Sequence, residues 1–154
     1  MHRRLVVFVL SLTLLAGATT ALAAAPKGTG ANDRLVGTAG PDTINGRAGD
    51  DTILGGPGND RLNGGAGTDL LAGDAGNDAL TGGAGPDSLL GGAGADRIDA
   101  RSGPGDVVAA GDGRDRIDAR DGARDKISCG TGRDTVRADR IDTVARDCEA
   151  VRRG

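Results

Sequence analysis

Seven aspartates recur at nine-residue steps through the first half of the chain: Asp42, Asp51, Asp60, Asp69, Asp78, Asp87 and Asp96. Each is followed two residues later by a large aliphatic side chain: Ile44, Ile53, Leu62, Leu71, Leu80, Leu89 and Ile98. The pattern is cleanest from Gly55 to Asp99, which reads GGPGNDRLN, GGAGTDLLA, GDAGNDALT, GGAGPDSLL, GGAGADRID. These units follow G-G-x-G-x-D-x-U-x, where U is Leu or Ile. Carboxylates repeated among glycines can hold cations, act as acid–base pairs, or solvate a flexible linker. An unbroken period favours the first, because a linker needs glycine and aspartate but no phase.

The period also prescribes the elements that position the carboxylates. Three residues centred on the aliphatic position make one short strand. The six before it form a turn, since glycine takes positive φ at little cost. Two nonamers then close one coil, and the third strand stacks on the first. Residues eighteen apart lie one strand spacing apart, about 4.8 Å. The aliphatic side chains face inward as two ladders, with Asp51, Asp69 and Asp87 stacked along one edge and Asp60, Asp78 and Asp96 along the other.

Such stacking is unfavourable by itself. Two carboxylates about 5 Å apart repel by about 3 kcal/mol at an effective dielectric near 20. One buried aliphatic side chain per nonamer does not offset the entropy of ordering a glycine-rich backbone. A hard cation between stacked turns reverses the sign of the carboxylate interaction. Calcium suits the site, because it accepts six to eight oxygens in loose geometry, whereas magnesium demands a tight octahedron and keeps its waters. Metal binding is then coupled to folding. The candidate ligands are the seven aspartates, together with turn carbonyls around Gly55, Gly58, Gly64, Gly67, Gly73, Gly76, Gly82, Gly85, Gly91 and Gly94. Asp33, Asp106 and Asp115 are weaker candidates. The expected complement is about five Ca2+ ions, between the turn pairs Asp42/Asp60, Asp51/Asp69, Asp60/Asp78, Asp69/Asp87 and Asp78/Asp96.

The nonapeptide resembles that of the RTX, or hemolysin-type, calcium-binding repeat family, and specifically its small exported, actinobacterial-type members. The resemblance covers nearly everything beyond residue 23. It implies an all-β fold, a right-handed parallel β-roll (a β-solenoid) with two repeats per coil. The implied function is that of an exported calcium-binding protein that folds as Ca2+ enters between stacked GGxGxD turns. The alternative is an extracellular adhesion or ligand-binding solenoid, directed at glycan, cell envelope or ice, that uses the same scaffold. Ice would want regular Thr ladders, but the seventh repeat position mixes Thr43, Thr52, Arg61, Leu70, Ala79, Ser88 and Arg97. Large RTX toxins and proteases resemble this chain only in their repeats, so neither activity carries over.

Along the chain, residues 1–23 read as a signal peptide: Arg3 and Arg4, an apolar run from Leu5 to about Ala18, then Ala21-Leu22-Ala23 as the cleavage signal. That run is too short to span a membrane. The expected destination is therefore secreted, with no membrane span once the signal is removed. A linker follows at 24–31, and a calcium-binding β-roll at 32–154, with regular repeats over 37–99 and degenerate repeats plus a C-terminal cap over 100–154. Phe8, His2 and Met1 are the only residues of their types, and all lie in the leading segment. Beyond it there is no aromatic side chain, which suits a narrow aliphatic coil and disfavours a nucleic-acid partner.

After Asp99 the rhythm changes. Sixth-position aspartates fall at Asp106, Asp115, Asp125 and Asp134, so the coil lengthens to nineteen residues, with Ile98, Ile117 and Val136 in one row and Val108 and Ile127 in the other. Arg114, Arg124 and Arg133 stand directly before three of these aspartates and are expected to neutralise them. Cys129 and Cys148 are also nineteen apart, which places them one strand spacing apart and predicts a disulfide that pins the cap. The cap is expected to seat Val136, Ile141, Val144 and Val151.

Catalysis is not expected. No histidine is left beyond residue 23 to act as a base. Ser88, Ser102 and Ser128 sit at repeat or turn positions without an activating partner in their spacing. A carboxylate pair about 5 Å apart could imitate a retaining glycosidase, but here the spacing recurs along whole ladders, which fits shared ions. The sequence identifies no protein or glycan partner.

Overall fold

The computed structural model describes residues 26–154; the signal-peptide reading falls outside them. Fourteen short strands wind into two parallel sheets of seven. One holds β1 (Arg34–Val36), β3 (Thr52–Pro57), β5 (Leu70–Ala75), β7 (Ser88–Gly94), β9 (Val107–Gly113), β11 (Lys126–Gly132) and β13 (Thr143–Val144), in that order. The other holds β2 (Thr43–Ala48), β4 (Arg61–Ala66), β6 (Ala79–Ala84), β8 (Arg97–Asp99), β10 (Arg116–Ala119), β12 (Thr135–Ala138) and β14 (Ala150–Arg153). Odd and even strands alternate along the chain, so each pair makes one coil of a parallel β-roll. No helix among the described residues is long and apolar enough to cross a membrane.

The register follows the sequence period. Leu71 pairs with Ile53 and Leu89, eighteen residues either way, and Leu80 with Leu62 and Ile98. From β7 onward the offset is nineteen: Leu89 to Val108, Val108 to Ile127, Ile98 to Ile117 and Ile117 to Val136. The last coil shortens instead, with Ile127 opposite Val144 at seventeen and Val136 opposite Val151 at fifteen. Cys148 therefore lies outside the strand register that places it opposite Cys129. It reaches its partner from the loop between β13 and β14, and the disulfide forms with a Cα–Cα distance of 5.1 Å.

Eleven of the fourteen strands are longer than the three residues the repeat suggests. Pairing continues through the glycine pair, so β3 runs on to Pro57 after a break at Gly55. The second glycine makes this possible: Gly56 has φ of 92° and Gly65 of 114°, where a side chain would clash with its own backbone. Arg47 and Asp74 hold the same position with φ of 83° and 74°, as the only non-glycine residues so placed among those described.

Burial alternates with the pleat. Asp51, Ile53 and Gly55 point inward, and the residues between them are more exposed. The core is thus one continuous double ladder from Leu35 to Val136, with Val144 and Val151 packed at its end. Ile141, expected in the cap, stays about half exposed. Pairing also begins upstream of the repeats, where Lys27 bridges to Asn45.

Candidate metal centre

Inward alternation brings every turn aspartate to the start of its strand, inside the turn that precedes it. Each uses its carboxylate in the same way. Oδ1 accepts the backbone N–H of the aspartate one coil earlier: Asp42 N to Asp60, Asp51 N to Asp69, Asp60 N to Asp78 and Asp78 N to Asp96, all at 2.8 Å. Two unbroken ladders result. One runs Asp33–Asp51–Asp69–Asp87–Asp106–Asp125–Asp142, and the other Asp42–Asp60–Asp78–Asp96–Asp115–Asp134–Glu149. The two edges read from the sequence are these ladders, extended at both ends.

The other oxygen decides what the ladders can bind. Oδ2 of Asp51, Asp60, Asp69, Asp78, Asp87, Asp96, Asp106, Asp115, Asp125 and Asp134 is buried and has no hydrogen-bond partner. A buried, unpartnered carboxylate oxygen is costly, and it recurs at every turn aspartate from Asp51 to Asp134. Burial pushes the carboxyls of Asp87, Asp96 and Asp125 up to about 6 and that of Asp106 up to about 7. Asp60, Asp69 and Asp78 shift upward for the same reason, and the stacked neighbouring carboxylate adds to it.

Asp42 and Asp33 differ from the other candidates. Oδ2 of Asp42 accepts from the Thr38 backbone N–H and from its hydroxyl at 3.0 Å, and Asp33 is served likewise by Thr29. Threonine at the second repeat position takes the place of a metal. Asp142 is also satisfied, because its second oxygen accepts the Asp139 N–H. Asp125 and Asp134 carry the same open oxygen as Asp106 and Asp115 and belong with them by geometry. The expected arginine neutralisation does not occur. Ion pairs among the described residues join Arg101 to Asp99, and Arg120 and Arg137 to Asp118, on the outer face, and none joins Arg114, Arg124 or Arg133 to a turn aspartate.

The surroundings of Oδ2 fit a hard cation. A Cβ built on Gly55 would lie 2.5 Å from Asp60 Oδ2 and 3.0 Å from the Gly73 carbonyl oxygen, and Gly64, Gly73 and Gly91 meet the equivalent atoms. At Gly46, Gly55, Gly64, Gly73 and Gly91 the first glycine of the repeat therefore leaves a carboxylate oxygen and a backbone carbonyl close to one point. No group of three or more acidic, histidine or cysteine side chains gathers among the described residues; the oxygens that meet at these glycines are one carboxylate and one main-chain carbonyl. Carboxylate and carbonyl oxygens are the donors that calcium takes.

A family model for the RTX calcium-binding nonapeptide repeat matches in four copies, at residues 27–62, 49–80, 73–104 and 105–136. The chain belongs to the RTX calcium-binding repeat family. No curated protein matches it. As an RTX repeat, the first glycine is absent from the later coils, where Ala100, Ala110, Ala119, Cys129 and Ala138 occupy the inward position, each fully buried. Their side chains stand where the earlier turns have none.

One further contact escaped the sequence reading. Asn59 Oδ1 accepts the Asn77 N–H at 2.7 Å, and Asn77 in turn accepts from Ala95. Asp50 joins Asn32 to Thr68 in the same way on the other edge. The signal was the short polar side chain at the fifth repeat position.

Proposed function

We propose that this is an exported, non-enzymatic β-roll that folds outside the cell as calcium enters between its stacked turns. The observation that carries the reading is the row of buried Oδ2 atoms without partners, those of Asp51, Asp60, Asp69 and Asp78 meeting a glycine carbonyl at the first glycine of the repeat. Bound calcium supplies positive charge between the turns and relieves the repulsion along each ladder. The chain's own residues do the rest: Oδ1 caps the backbone of the coil before, Oδ2 and the carbonyls hold the ion, and the first glycine leaves room for it.

The ions concentrate between Asp51/Asp69, Asp60/Asp78, Asp69/Asp87 and Asp78/Asp96. Threonine already satisfies Asp42, which reduces the five turn pairs read from the sequence to four. Beyond Asp99 the buried Ala and Cys side chains displace the cation cradle, and the Cys129–Cys148 disulfide supplies constraint in its place. The later coils act as a calcium-poor cap on which the earlier ones assemble.

Circular dichroism of metal-free residues 24–154 tests this. A disordered spectrum should convert to β on addition of calcium at about 10⁻⁴–10⁻³ M, with magnesium far less effective. A full β spectrum in chelator at neutral pH would refute calcium-driven folding.

A further inference from the structure

On the outer face of the even sheet, strands β8, β10 and β12 enclose a cavity of about 360 Å³ whose chemistry has nothing to do with the turns. Five arginines line it against two aspartates, which leaves three positive charges uncompensated. The chain as a whole carries a formal net charge of −3, so this face runs against the rest of the molecule.

The register builds the site. Arg97 and Arg116 are paired residues on neighbouring strands, one spacing of about 4.8 Å apart, and Thr135 follows in the same row. Like charges directly opposite one another disfavour a sheet, and neither arginine has an ion pair among the described residues. The second row, Asp99 and Asp118, is already engaged. Arg101 forks onto Asp99 at 2.8 and 2.6 Å, and Arg120 forks onto Asp118 at 2.8 Å through both nitrogens. These forks hold both carboxyls below their ordinary range. The aspartates are thus spent on the flanking arginines, and Arg97 and Arg116 line the cavity without an ion pair among the described residues.

We propose that Arg97, Arg116 and Thr135 form a binding site for the phosphate group of a sugar- or polyol-phosphate polymer. Two guanidinium forks approaching from adjacent strands need an acceptor with three or more oxygens. A tetrahedral phosphate provides them, whereas a carboxylate fills one fork. The volume exceeds a lone oxyanion and sits at the lower end of small-ligand pockets, which leaves space for the unit that carries the phosphate. A nucleic acid would want aromatic platforms for its bases, and the described residues contain none.

The test is calorimetric titration of the calcium-loaded protein with a glycerol-phosphate polymer, a single-stranded oligonucleotide and polygalacturonate, matched in charge. The glycerol-phosphate polymer should bind best, and binding should weaken as salt rises. Arg97→Gln with Arg116→Gln should weaken it at least about tenfold, whereas Arg47→Gln, on β2, should leave it unchanged. Circular dichroism establishes that each variant folds with calcium. Should the double glutamine variant not fold, Arg97→Lys with Arg116→Lys keeps the charge without the fork, and a loss of about threefold or more is expected. Unchanged binding in whichever variant folds would overturn the site. Equal or tighter binding of the oligonucleotide would overturn the assignment to a sugar or polyol chain, and preference for polygalacturonate would overturn the tetrahedral oxyanion. Failure of calcium to drive folding would refute calcium-driven folding alone, and the titration with the arginine variants decides the phosphate site separately.

Discussion

The division of labour within one carboxylate can be separated by two substitutions at Asp78. Its Oδ1 accepts the Asp60 N–H at 2.8 Å, and its Oδ2 is buried without a partner. Asp78→Asn keeps a carbonyl oxygen to cap Asp60 and replaces the open oxygen with an uncharged amide. Asp78→Ala removes both. In the metal-free protein, Asn removes one of the stacked charges, which at about 5 Å and a dielectric near 20 repel by about 3 kcal/mol per neighbour. The metal-free Asn variant should therefore be at least as folded as wild type. With Ala, the buried Asp60 N–H is orphaned at a cost of about 1–3 kcal/mol, so the metal-free Ala variant should be less folded.

Calcium response should separate them differently. Both variants lose the charged ligand, so the calcium midpoint should rise about tenfold or more in each, equivalent to about 1.4 kcal/mol. Ala should rise further by the cost of the orphaned amide. The assay is the β signal in circular dichroism, followed through calcium-buffered solutions. An Asn variant with the wild-type midpoint would show that Oδ2 holds no ion. Coincident curves for Asn and Ala would show that the Oδ1 cap contributes nothing.

Other consequences follow from the same geometry. Gly64→Ala places a methyl 2.6 Å from the Gly82 carbonyl oxygen, so calcium-loaded stability in urea should fall by about 1–3 kcal/mol, whereas Ala110→Gly, where a side chain is already resident, should cost about 1 kcal/mol or less. Asp74→Gly relieves a non-glycine residue at φ 74° and should raise stability by about 1 kcal/mol in the same urea titration. Metal-free protein should gain β structure as pH falls from 7.5 to about 4.5: burial raises the carboxyls of Asp87, Asp96 and Asp125 to about 6 and that of Asp106 to about 7 from about 3.9 unfolded, so the protonated fold is fully favoured below the unfolded value and loses stability as pH climbs through the folded one. A metal-free β signal that grows with pH would contradict this. Alkylation and intact mass should find no free thiol in exported protein, and hydrogen exchange in chelator should keep protection near Cys129 and Cys148 while losing it from Gly64 to Leu90; uniform loss would remove the cap from the scheme.

Much of the fold was legible because a solenoid repeats one local decision. The spacing of Ile53, Leu71 and Leu89 fixes the register without any long-range inference, and the step from eighteen to nineteen at Asp106 appears in the aliphatic row as plainly as in the acidic one. Legibility ended where the repeat did. The seventeen- and fifteen-residue offsets of the final coil have no periodic signal, so Cys148 reached the correct partner from a loop that its spacing did not describe. Ile141 failed as a core residue for the same reason: in a cap, hydrophobicity is no longer tied to phase.

The site was half legible, and the missing half is instructive. Composition marks an aspartate as a ligand but cannot say that one of its oxygens is already engaged by the amide one coil earlier. That bond joins each coil to the next through the same carboxylate whose second oxygen is left open. A ladder so wired cannot bind calcium at one turn without positioning the backbone of its neighbour, because moving Asp69 toward a metal also moves the acceptor of the Asp51 N–H. The arginines misled because adjacency in sequence is not adjacency in a pleated strand: Asp115 points inward, so Arg114 beside it points out. The same alternation that denies Arg114 to the turns places Arg97 and Arg116 side by side on the outer face of the even sheet.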